Sequence, residues 1–498
     1  MSDPILFEGA EAIARDVRAG NRSAVEVTRA FLAQADRTAE RLGTYLHRMP
    51  AEALRDAEAI DRRRAAGETL GALAGVPVAI KDNICIRGVP TTCGSRILEG
   101  YRPPYDAHVI ERLRASDAVL VGKTNCDEFA MGSSTENSAY QVTRNPWDPE
   151  RVPGGSSGGS AATVAACEAP LSLGSDTGGS VRQPAAFCGV YGLKPTYGAV
   201  SRYGLVAFAS SLDQIGGFAR SARDTALLHG AICGADRRDM TSRAEAKPIA
   251  LDALERPIEG LRLGVPRAIL DEAGEGLAPS IRAAYESAVS AFERAGARIV
   301  DVALPHARHA IATYYLIAPA EASSNLARFD GVRYGLRKSD GDLKGMYEAT
   351  RGAGFGREVT RRILLGTYAL SAGYYDAYYL RAQKVRTLIR RDFLEALERS
   401  DALLMPVTPT AAFRIGEKTD DPLAMYLSDI FSIPASLAGV PGLSFPAAFD
   451  AAGLPIGLQL VGRPFDEETI LRVARAYERE HDAASRPPAL ATGEGGGR

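Results

Sequence analysis

The chain has 498 residues, of which 46% are hydrophobic and 24% are charged, with a formal net charge of −2. This is the composition of an ordinary globular protein with a large buried core, and the near-neutral charge does not mark a nucleic-acid-binding or membrane-binding chain. The N-terminus lacks the features of a signal peptide, and no stretch reaches the ~18 uncharged apolar residues of a membrane span, so we expect a cytoplasmic protein without membrane contact.

The chain begins with amphipathic helical patterns over residues 8–64, where Ser23 and Glu26 have the spacing of a capping box. From Leu73 onward, short apolar runs alternate with helical stretches, which predicts an α/β layer fold with a mixed sheet. The predicted strands are residues 76–80, 118–121, 171–173, 261–265, 299–302, 402–405 and 456–461. Residues 305–400 have few strand signals, which indicates a helical lobe.

The candidate site residues described below extend from position 81 to beyond 400, so we predict one domain over residues 1–485. The Gly-rich residues 486–498 are predicted to be a disordered tail. Six cysteines are scattered without a CxxC pair and are predicted to be reduced: Cys85, Cys93, Cys126, Cys167, Cys188 and Cys233. His306 and His309 lack neighbouring ligands, so no metal site is predicted.

Lys81 ends the first predicted strand, and the five residues before it carry no polar side chain. Burial at this position would lower the lysine pKa and supply a neutral amine that can act as a base. Lys123 follows another apolar run and has nearly the same local setting. The residues alone do not choose between the two lysines.

Two Gly/Ser loops flank a segment of small residues between positions 153 and 184. Paired loops are atypical of a linker, and Ser160 is placed to cap a helix between them. In the second loop, glycines next to Thr177 can form a nest of backbone N–H groups beside Ser180, as acyl transfer requires. A P-loop is excluded because both loops lack lysine, and an aspartic-protease site is excluded because Asp176-Thr177-Gly178 has no second copy.

The two loops, Gly-Gly-Ser-Ser-Gly-Gly and Asp-Thr-Gly-Gly-Ser, closely resemble the amidase signature family, as does the Lys-Asp-Asn segment at Lys81. This resemblance implies an amidase-signature α/β fold and a Ser-Ser-Lys triad. Ser180 is then the nucleophile, Ser156 the bridging serine and Lys81 the base, in preference to Lys123. The implied oxyanion donors are Thr177, Gly178 and Gly179. The chain departs from the family at Gly217, where proline is usual, and we expect a looser turn there.

Residues 125–138, 191–206 and 426–442 resemble one branch of this family, the A subunits of tRNA-dependent amidotransferases. The resemblance implies that the chain hydrolyses glutamine and needs no cofactor of its own. Ammonia then reaches a B subunit, which uses ATP and magnesium to amidate Glu-tRNA(Gln) or Asp-tRNA(Asn), with a small C subunit completing a heterotrimeric ligase of protein biosynthesis. Misacylated tRNA binds through this complex.

The same resemblance implies four substrate-binding residues: Gly132, Tyr315, Arg362 and Asp429. Arg361 is adjacent to Arg362, and the pattern alone permits either arginine to lie on a solvated helix face. Two other functions remain open, a free-standing amidase for another small amide and a non-catalytic scaffold of the same fold. The basic residues between Lys384 and Arg391 are interpreted either as a nucleic-acid patch or as the solvated face of a helix.

Overall fold

The computed structural model describes residues 3–339, 341–481 and 486–492. The described strands form one mixed sheet in the order β1-β3-β2-β4-β6-β5-β10-β11-β9-β7-β8. Their bounds are β1 Tyr45–Arg48, β2 Pro77–Lys81, β3 Val119–Thr124, β4 Leu171–Asp176, β5 Tyr191–Lys194, β6 Gln214–Ala219, β7 Arg262–Val265, β8 Arg298–Asp301, β9 Ala402–Pro406, β10 Gly442–Phe449 and β11 Pro455–Gly462. Strand β2 runs parallel to both β3 and β4, and β7 runs parallel to β8 and β9.

Helices account for most of the remaining regular structure. Their bounds are α1 Ala10–Ala19, α2 Ala24–Leu42, α3 Pro50–Ala65, α4 His108–Ala115, α5 Gly158–Ala165, α6 Arg182–Cys188, α7 Ala222–Ile232, α8 Pro279–Arg294, α9 Ala310–Asn325, α10 Leu343–Gly354, α11 Arg357–Leu370, α12 Arg381–Arg399, α13 Pro422–Leu427, α14 Ile433–Ala438, α15 Glu467–Glu480 and α16 Ala489–Thr492. The N-cap half of the predicted capping box is confirmed, because the Ser23 hydroxyl accepts a hydrogen bond from Glu26 N at the start of α2. The reciprocal bond from Ser23 N to the Glu26 carboxylate is absent among the described residues. None of the helices in the described ranges is long and apolar enough to cross a membrane.

Three large apolar clusters hold the helices to the sheet. One joins α1, α2 and α3 to β2 and β3, a second joins α9, α11, α12 and α14, and a third packs α8 and α15 against β9, β10 and β11. Helices α9 to α12 make up the predicted lobe. None of the described residues between 305 and 400, which are all except 340, lies in a strand. The predicted mixed α/β fold with a helical lobe is therefore confirmed.

All seven predicted strands are present, but β1, β5, β6 and β10 were not predicted. Strand β6 contains Gly216 and Gly217, which weaken a strand pattern but are required by packing here. A Cβ at Gly216 would lie 2.2 Å from the Leu193 carbonyl oxygen, and one at Gly217 would lie 2.4 Å from Leu228. The expectation of a turn at Gly217 is wrong, because this residue lies inside a strand.

One further expectation needs correction. Residues 486–492 pack as part of the fold, since helix α16 forms and Ala491 is fully buried; the rest of the predicted disordered tail, 493–498, lies outside the described residues. The basic segment of α12 is largely a solvated helix face, as the second interpretation expected, since Lys384, Arg390 and Arg391 are exposed. In addition, Arg386 donates to the Leu437 carbonyl and Arg390 to the Ala438 carbonyl. These bonds attach α12 to α14. The single-domain assignment stays a prediction.

Candidate active site

The two Gly/Ser loops meet at one edge of the sheet. Strands β2 and β4 are parallel neighbours, so Lys81 at the end of β2 and Asp176 at the end of β4 lie at the same edge. The first loop precedes α5 and the second precedes α6, and both loops are buried. Their main chains touch, with Ser157 N donating to the Ser180 carbonyl over 3.2 Å. The linker interpretation is therefore excluded.

Lys81 is fully buried among serine hydroxyl groups. Its Nζ lies 2.7 Å from Ser156 Oγ, 2.8 Å from Ser157 Oγ and 3.0 Å from Ser175 Oγ. Asn83 Nδ2 supports this group by donating to Ser175 Oγ over 2.9 Å. Three hydroxyl partners match the three donors of a protonated lysine, and loss of one proton leaves a lone pair that can accept from Ser156.

Burial lowers the pKa of Lys81 to about 8, although Cys126 and Asp127 oppose the shift. The pKa moves in the direction expected for a base, because the charged form is penalised when it leaves water. We expected a neutral lysine, and the neutral form becomes the majority only above a pH of about 8. Lys81 is therefore poised close to the pH at which it can accept a proton.

Lys123 belongs to a different cluster. Its Nζ pairs with Asp82 at 3.0 Å and donates to Thr91 Oγ1 over 2.9 Å. Both members of the ion pair are buried, and removing one would leave an uncompensated charge. The structure thus brings Lys81 to the serine loops and gives Lys123 a structural ion pair.

The second loop presents backbone donors beside Ser180. No acceptor among the described residues takes a hydrogen bond from the N–H groups of Thr177, Gly178 or Gly179. Asp176, the residue immediately before this loop, anchors it by forming a buried ion pair with Arg182 at 3.1 Å. Although burial opposes it, Arg182 holds the pKa of Asp176 below its usual value. These free N–H groups can stabilise a developing oxyanion.

Ser160 does not cap the intervening helix. Helix α5 begins at Gly158, so Ser160 lies within its first turn and donates to the Leu173 carbonyl over 2.9 Å. Gly159 lets the helix approach β3, because a Cβ there would lie 2.4 Å from the Asn125 carbonyl oxygen. The N-cap residue Ser157 makes no side-chain cap, and the N–H groups of Gly158 and Gly159 instead donate to Thr135 Oγ1 and the Asn125 carbonyl.

Asp429 presents a free carboxylate oxygen next to the second loop. Its Oδ2 accepts from the Ser133 hydroxyl, while its Oδ1 is buried without a hydrogen-bond partner among the described residues. Burial raises the pKa of Asp429 to about 7, and the bond from Ser133 opposes the shift. A Cβ at Gly179 would lie 3.1 Å from the same Oδ1. Gly132 immediately precedes Ser133, so it lies on the same side of the site.

Arg362 lies in an aromatic enclosure on the inner face of α11. Its guanidinium carbon is 5.7 Å from the ring centroid of Phe208, 5.2 Å from that of Tyr315 and 5.4 Å from that of Tyr426. Nε donates to Glu358 over 2.8 Å, whereas Nη1 and Nη2 have no acceptor among the described residues. Free terminal nitrogens can bind an incoming carboxylate in a bidentate manner.

Helix packing brings Tyr315 and Arg362 together. Gly366 on α11 lies so close to Pro319 on α9 that a Cβ added at Gly366 would lie 1.9 Å from the Pro319 carbonyl oxygen. Tyr315 stacks on Tyr426 with ring centroids 3.8 Å apart. The two neighbouring arginines differ in burial, because the Arg361 side chain is 30% exposed and that of Arg362 is 3% exposed.

Several contacts of this site were missed by the sequence interpretation, including Glu358, Tyr426, Ser133 and Asp127. Their residue types are common on surfaces, and only their three-dimensional neighbours distinguish them. Tyr426 begins a family-like segment, but the pattern gave it no role. Among the described residues, no group of three His, Cys, Asp or Glu side chains is arranged to hold a metal ion.

Comparison with known proteins places this geometry in a family. A family model described as Amidase matches residues 26–471. The A subunit of glutamyl-tRNA(Gln) amidotransferase from Chloroflexus aurantiacus is 59% identical over 95% of this chain and 96% of that protein, and its counterpart from Gloeobacter violaceus is 57% identical over 95% and 97%. The crystal structure of the Thermotoga maritima counterpart aligns with a TM-score of 0.80 and 42% identity, covering 98% of this chain and 99% of that chain. The chain belongs to the amidase family.

Proposed function

We propose that this chain is the glutamine-hydrolysing subunit of a glutamyl-tRNA(Gln) amidotransferase. The observation that carries the proposal is a pair of charged groups with open hydrogen-bonding positions. Asp429 Oδ1 lies next to Gly179 without a partner, and the terminal nitrogens of Arg362 have no acceptor among the described residues, although its Nε is paired with Glu358. Free glutamine carries one ammonium and one carboxylate, which these two groups complement. The names of the relatives support the same function. A generic amidase needs neither charge, and the three buried triad groups argue against a scaffold.

In the proposed reaction, Ser180 attacks the carbonyl carbon of the side-chain amide. Its proton passes through Ser156 to Lys81, and the N–H groups of the second loop stabilise the tetrahedral oxyanion. The proton returns to the amide nitrogen, the C–N bond breaks and ammonia leaves, so a glutamyl ester remains on Ser180. Water then attacks the ester with the same proton relay, and glutamate is released. In each half of the reaction Lys81 takes up one proton and gives it back, so its protonation state is the same before and after turnover.

We assign the later steps to partner subunits. The A-subunit names of the relatives support a multi-subunit amidotransferase. The family resemblance further implies a complex in which ammonia reaches a B subunit that uses ATP and magnesium, with misacylated tRNA and a C subunit completing the assembly. The names favour Glu-tRNA(Gln) as the acceptor, with Asp-tRNA(Asn) as a second candidate. The six cysteines are all free thiols, as in proteins of a reducing compartment such as the cytoplasm.

A partner-dependent glutaminase assay tests this proposal. The purified chain is incubated with isotopically labelled glutamine, first alone and then with B and C subunits, ATP and each misacylated tRNA. Release of labelled glutamate, with transfer of the amide nitrogen to tRNA, is the expected result. Preference for uncharged amides over glutamine under all conditions would instead support a free-standing amidase.

Substitution of the charged substrate groups should separate binding from chemistry. We expect Arg362→Ala and Asp429→Ala each to raise the KM for glutamine roughly 10- to 100-fold, the value of a charge-assisted hydrogen bond. Hydrolysis of propionamide, which has neither charge, should change little. Arg361→Ala is the matched control, because that side chain is more exposed and its ion pair is with Glu358. Unchanged glutamine binding in both variants would contradict the assignment.

The pH dependence should differ between charged and uncharged substrates. Lys81 must lose a proton and has a pKa of about 8, so kcat/KM for propionamide should fall about tenfold per unit below that pH. Asp429 must be ionised to bind the ammonium group and has a pKa of about 7, so kcat/KM for glutamine should fall about 100-fold per unit below pH 7. Identical profiles for the two substrates would exclude a role for Asp429 in charge recognition.

A further inference from the structure

Two adjacent buried carboxylates, Asp127 and Glu128, follow strand β3 and take no part in the reaction described above. Neither forms an ion pair with any residue that the structure describes. Burial raises the pKa of Asp127 to about 6 and that of Glu128 to about 7. Burying a carboxylate without a cation costs folding free energy, which points to a role for the hydrogen bonds that these two carboxylates accept.

Asp127 organises the loop of residues 132–137. Its carboxylate accepts from Thr135 N over 2.9 Å, from Asn137 N over 3.1 Å and from Ser134 N over 3.3 Å. Its own backbone N–H donates to the Ser156 carbonyl over 3.2 Å. One residue therefore holds both the loop and the main chain of the bridging serine.

The Asp127 carboxylate is wedged between two glycines. A Cβ at Gly132 would lie 2.3 Å from Asp127 Cγ, and a Cβ at Gly155 would lie 2.1 Å from Asp127 Oδ2. Ser133 follows the first glycine and donates its hydroxyl hydrogen to Asp429. The position of the Asp127 carboxylate therefore affects the position of Ser133, and through Ser133 that of Asp429, the carboxylate that we assign to the substrate ammonium group.

Glu128 holds the other side of the site. Its Oε2 accepts from Gly356 N over 2.8 Å, and its Oε1 accepts from the Ser95 hydroxyl. Gly356 is the residue before α11, and a Cβ there would lie 2.5 Å from Oε2. A carboxylate at a helix N-terminus also interacts favourably with the helix dipole. Helix α11 carries Arg362 six residues later, so Glu128 fixes the start of the helix that presents the cation.

The backbone after the two carboxylates adopts an unusual conformation. Phe129 has a φ of 50° and Ala130 a φ of 61°, in the left-handed region that residues with a side chain seldom occupy. Such a conformation persists only where the surroundings impose it, and it is concentrated at functional sites. The turn makes residues 127–130 a rigid connection between the two sides of the site.

We propose that Asp127 and Glu128 are positioning residues that set the separation between Asp429 and Arg362, and thereby the length of the amino-acid amide that the site accepts. This inference rests on the proposed function. One carboxylate fixes the loop that contacts Asp429, and the other fixes the helix that carries Arg362. Asparagine is one methylene shorter than glutamine, so the preference between these two amides measures the separation.

The test compares Glu128→Gln and Ser95→Ala with the wild-type chain in its complex, on glutamine, asparagine and propionamide. Glu128→Gln should raise the KM for glutamine about tenfold and shift the preference towards asparagine. The reason is that a small displacement of Arg362 weakens its interaction with the substrate carboxylate. Ser95→Ala removes one partner of the carboxylate and should act in the same direction with a smaller effect. Glu99→Gln makes the same chemical change at an exposed position and is the matched control.

Asp127→Asn provides a second readout that a purely structural role does not affect. The amide cannot accept at both positions, so the KM for glutamine should also rise. Lys81 is faced by Cys126, Asp127, Asp176 and Asp213, and loss of one carboxylate charge should move the acid limb of propionamide hydrolysis to lower pH. A lower rate with an unmoved acid limb would count against this positioning role.

Two further results would overturn the inference. One is a loss of activity by the same factor on glutamine, asparagine and propionamide in both carboxylate variants, which is what general misfolding would produce. The other is an unchanged preference between glutamine and asparagine in a folded Glu128→Gln variant. Failure of the wild-type complex to hydrolyse glutamine would instead overturn the proposed function, and it would be seen before any variant is compared.

Discussion

Ser180→Ala should reduce glutamine hydrolysis on the order of 10⁵-fold, because the variant has no hydroxyl to form the glutamyl ester and the other triad members cannot substitute for it. The backbone N–H groups and the charged substrate groups remain in place. Glutamine should therefore still bind, with a Kd close to the wild-type KM. The measurements are steady-state glutaminase kinetics and calorimetric binding of glutamine to the inactive variant.

Ser444→Ala is the matched control for this substitution. Ser444 is also a buried serine, and its hydroxyl has no hydrogen-bond partner among the described residues, so its loss should leave turnover unchanged. Mass spectrometry of the wild-type chain trapped during turnover should locate a glutamyl ester on Ser180. An ester on any other residue would refute the assignment of the nucleophile.

Lys81→Met should lower kcat about 10⁴-fold, because methionine retains the bulk of the side chain but cannot accept a proton. The three serine hydroxyls would lose their common partner, but Ser157 Oγ still donates to the Ser175 carbonyl and Ser175 Oγ still accepts from Asn83 Nδ2. The residual activity should also lose the acid limb near pH 8, since the group that titrates there is removed. Kinetics across the pH range measure both effects.

Lys123→Met is the informative comparison, because the two lysines have nearly the same local sequence. Removing Lys123 leaves Asp82 buried without its cation, which should cost about 3–5 kcal/mol of unfolding free energy. Turnover per folded molecule should stay close to that of the wild type. Near-normal activity of Lys81→Met, combined with loss of activity in Lys123→Met, would transfer the role of base to Lys123.

The amino-acid sequence by itself determined the features that depend on short stretches of chain. Apolar runs bounded by turn residues identified seven strands, and the two Gly/Ser loops with Ser156 and Ser180 stood out by their local composition. The strand-end position of Lys81 was also visible. These signals are local because strand periodicity and glycine-rich turns act over fewer than about ten residues.

The tertiary structure decided every question that depends on residues distant in the chain. Lys81 and Lys123 differ because only the first reaches Ser156, 75 residues away. Arg362 differs from Arg361 because α9 and α13 bring tyrosines over one side chain and not the other. Strand β6 was missed because its glycines are required by Leu193 and Leu228, contacts that no local pattern encodes. Burial against distant partners, and not residue type, thus distinguishes the side chains that line the proposed site from their neighbours in sequence.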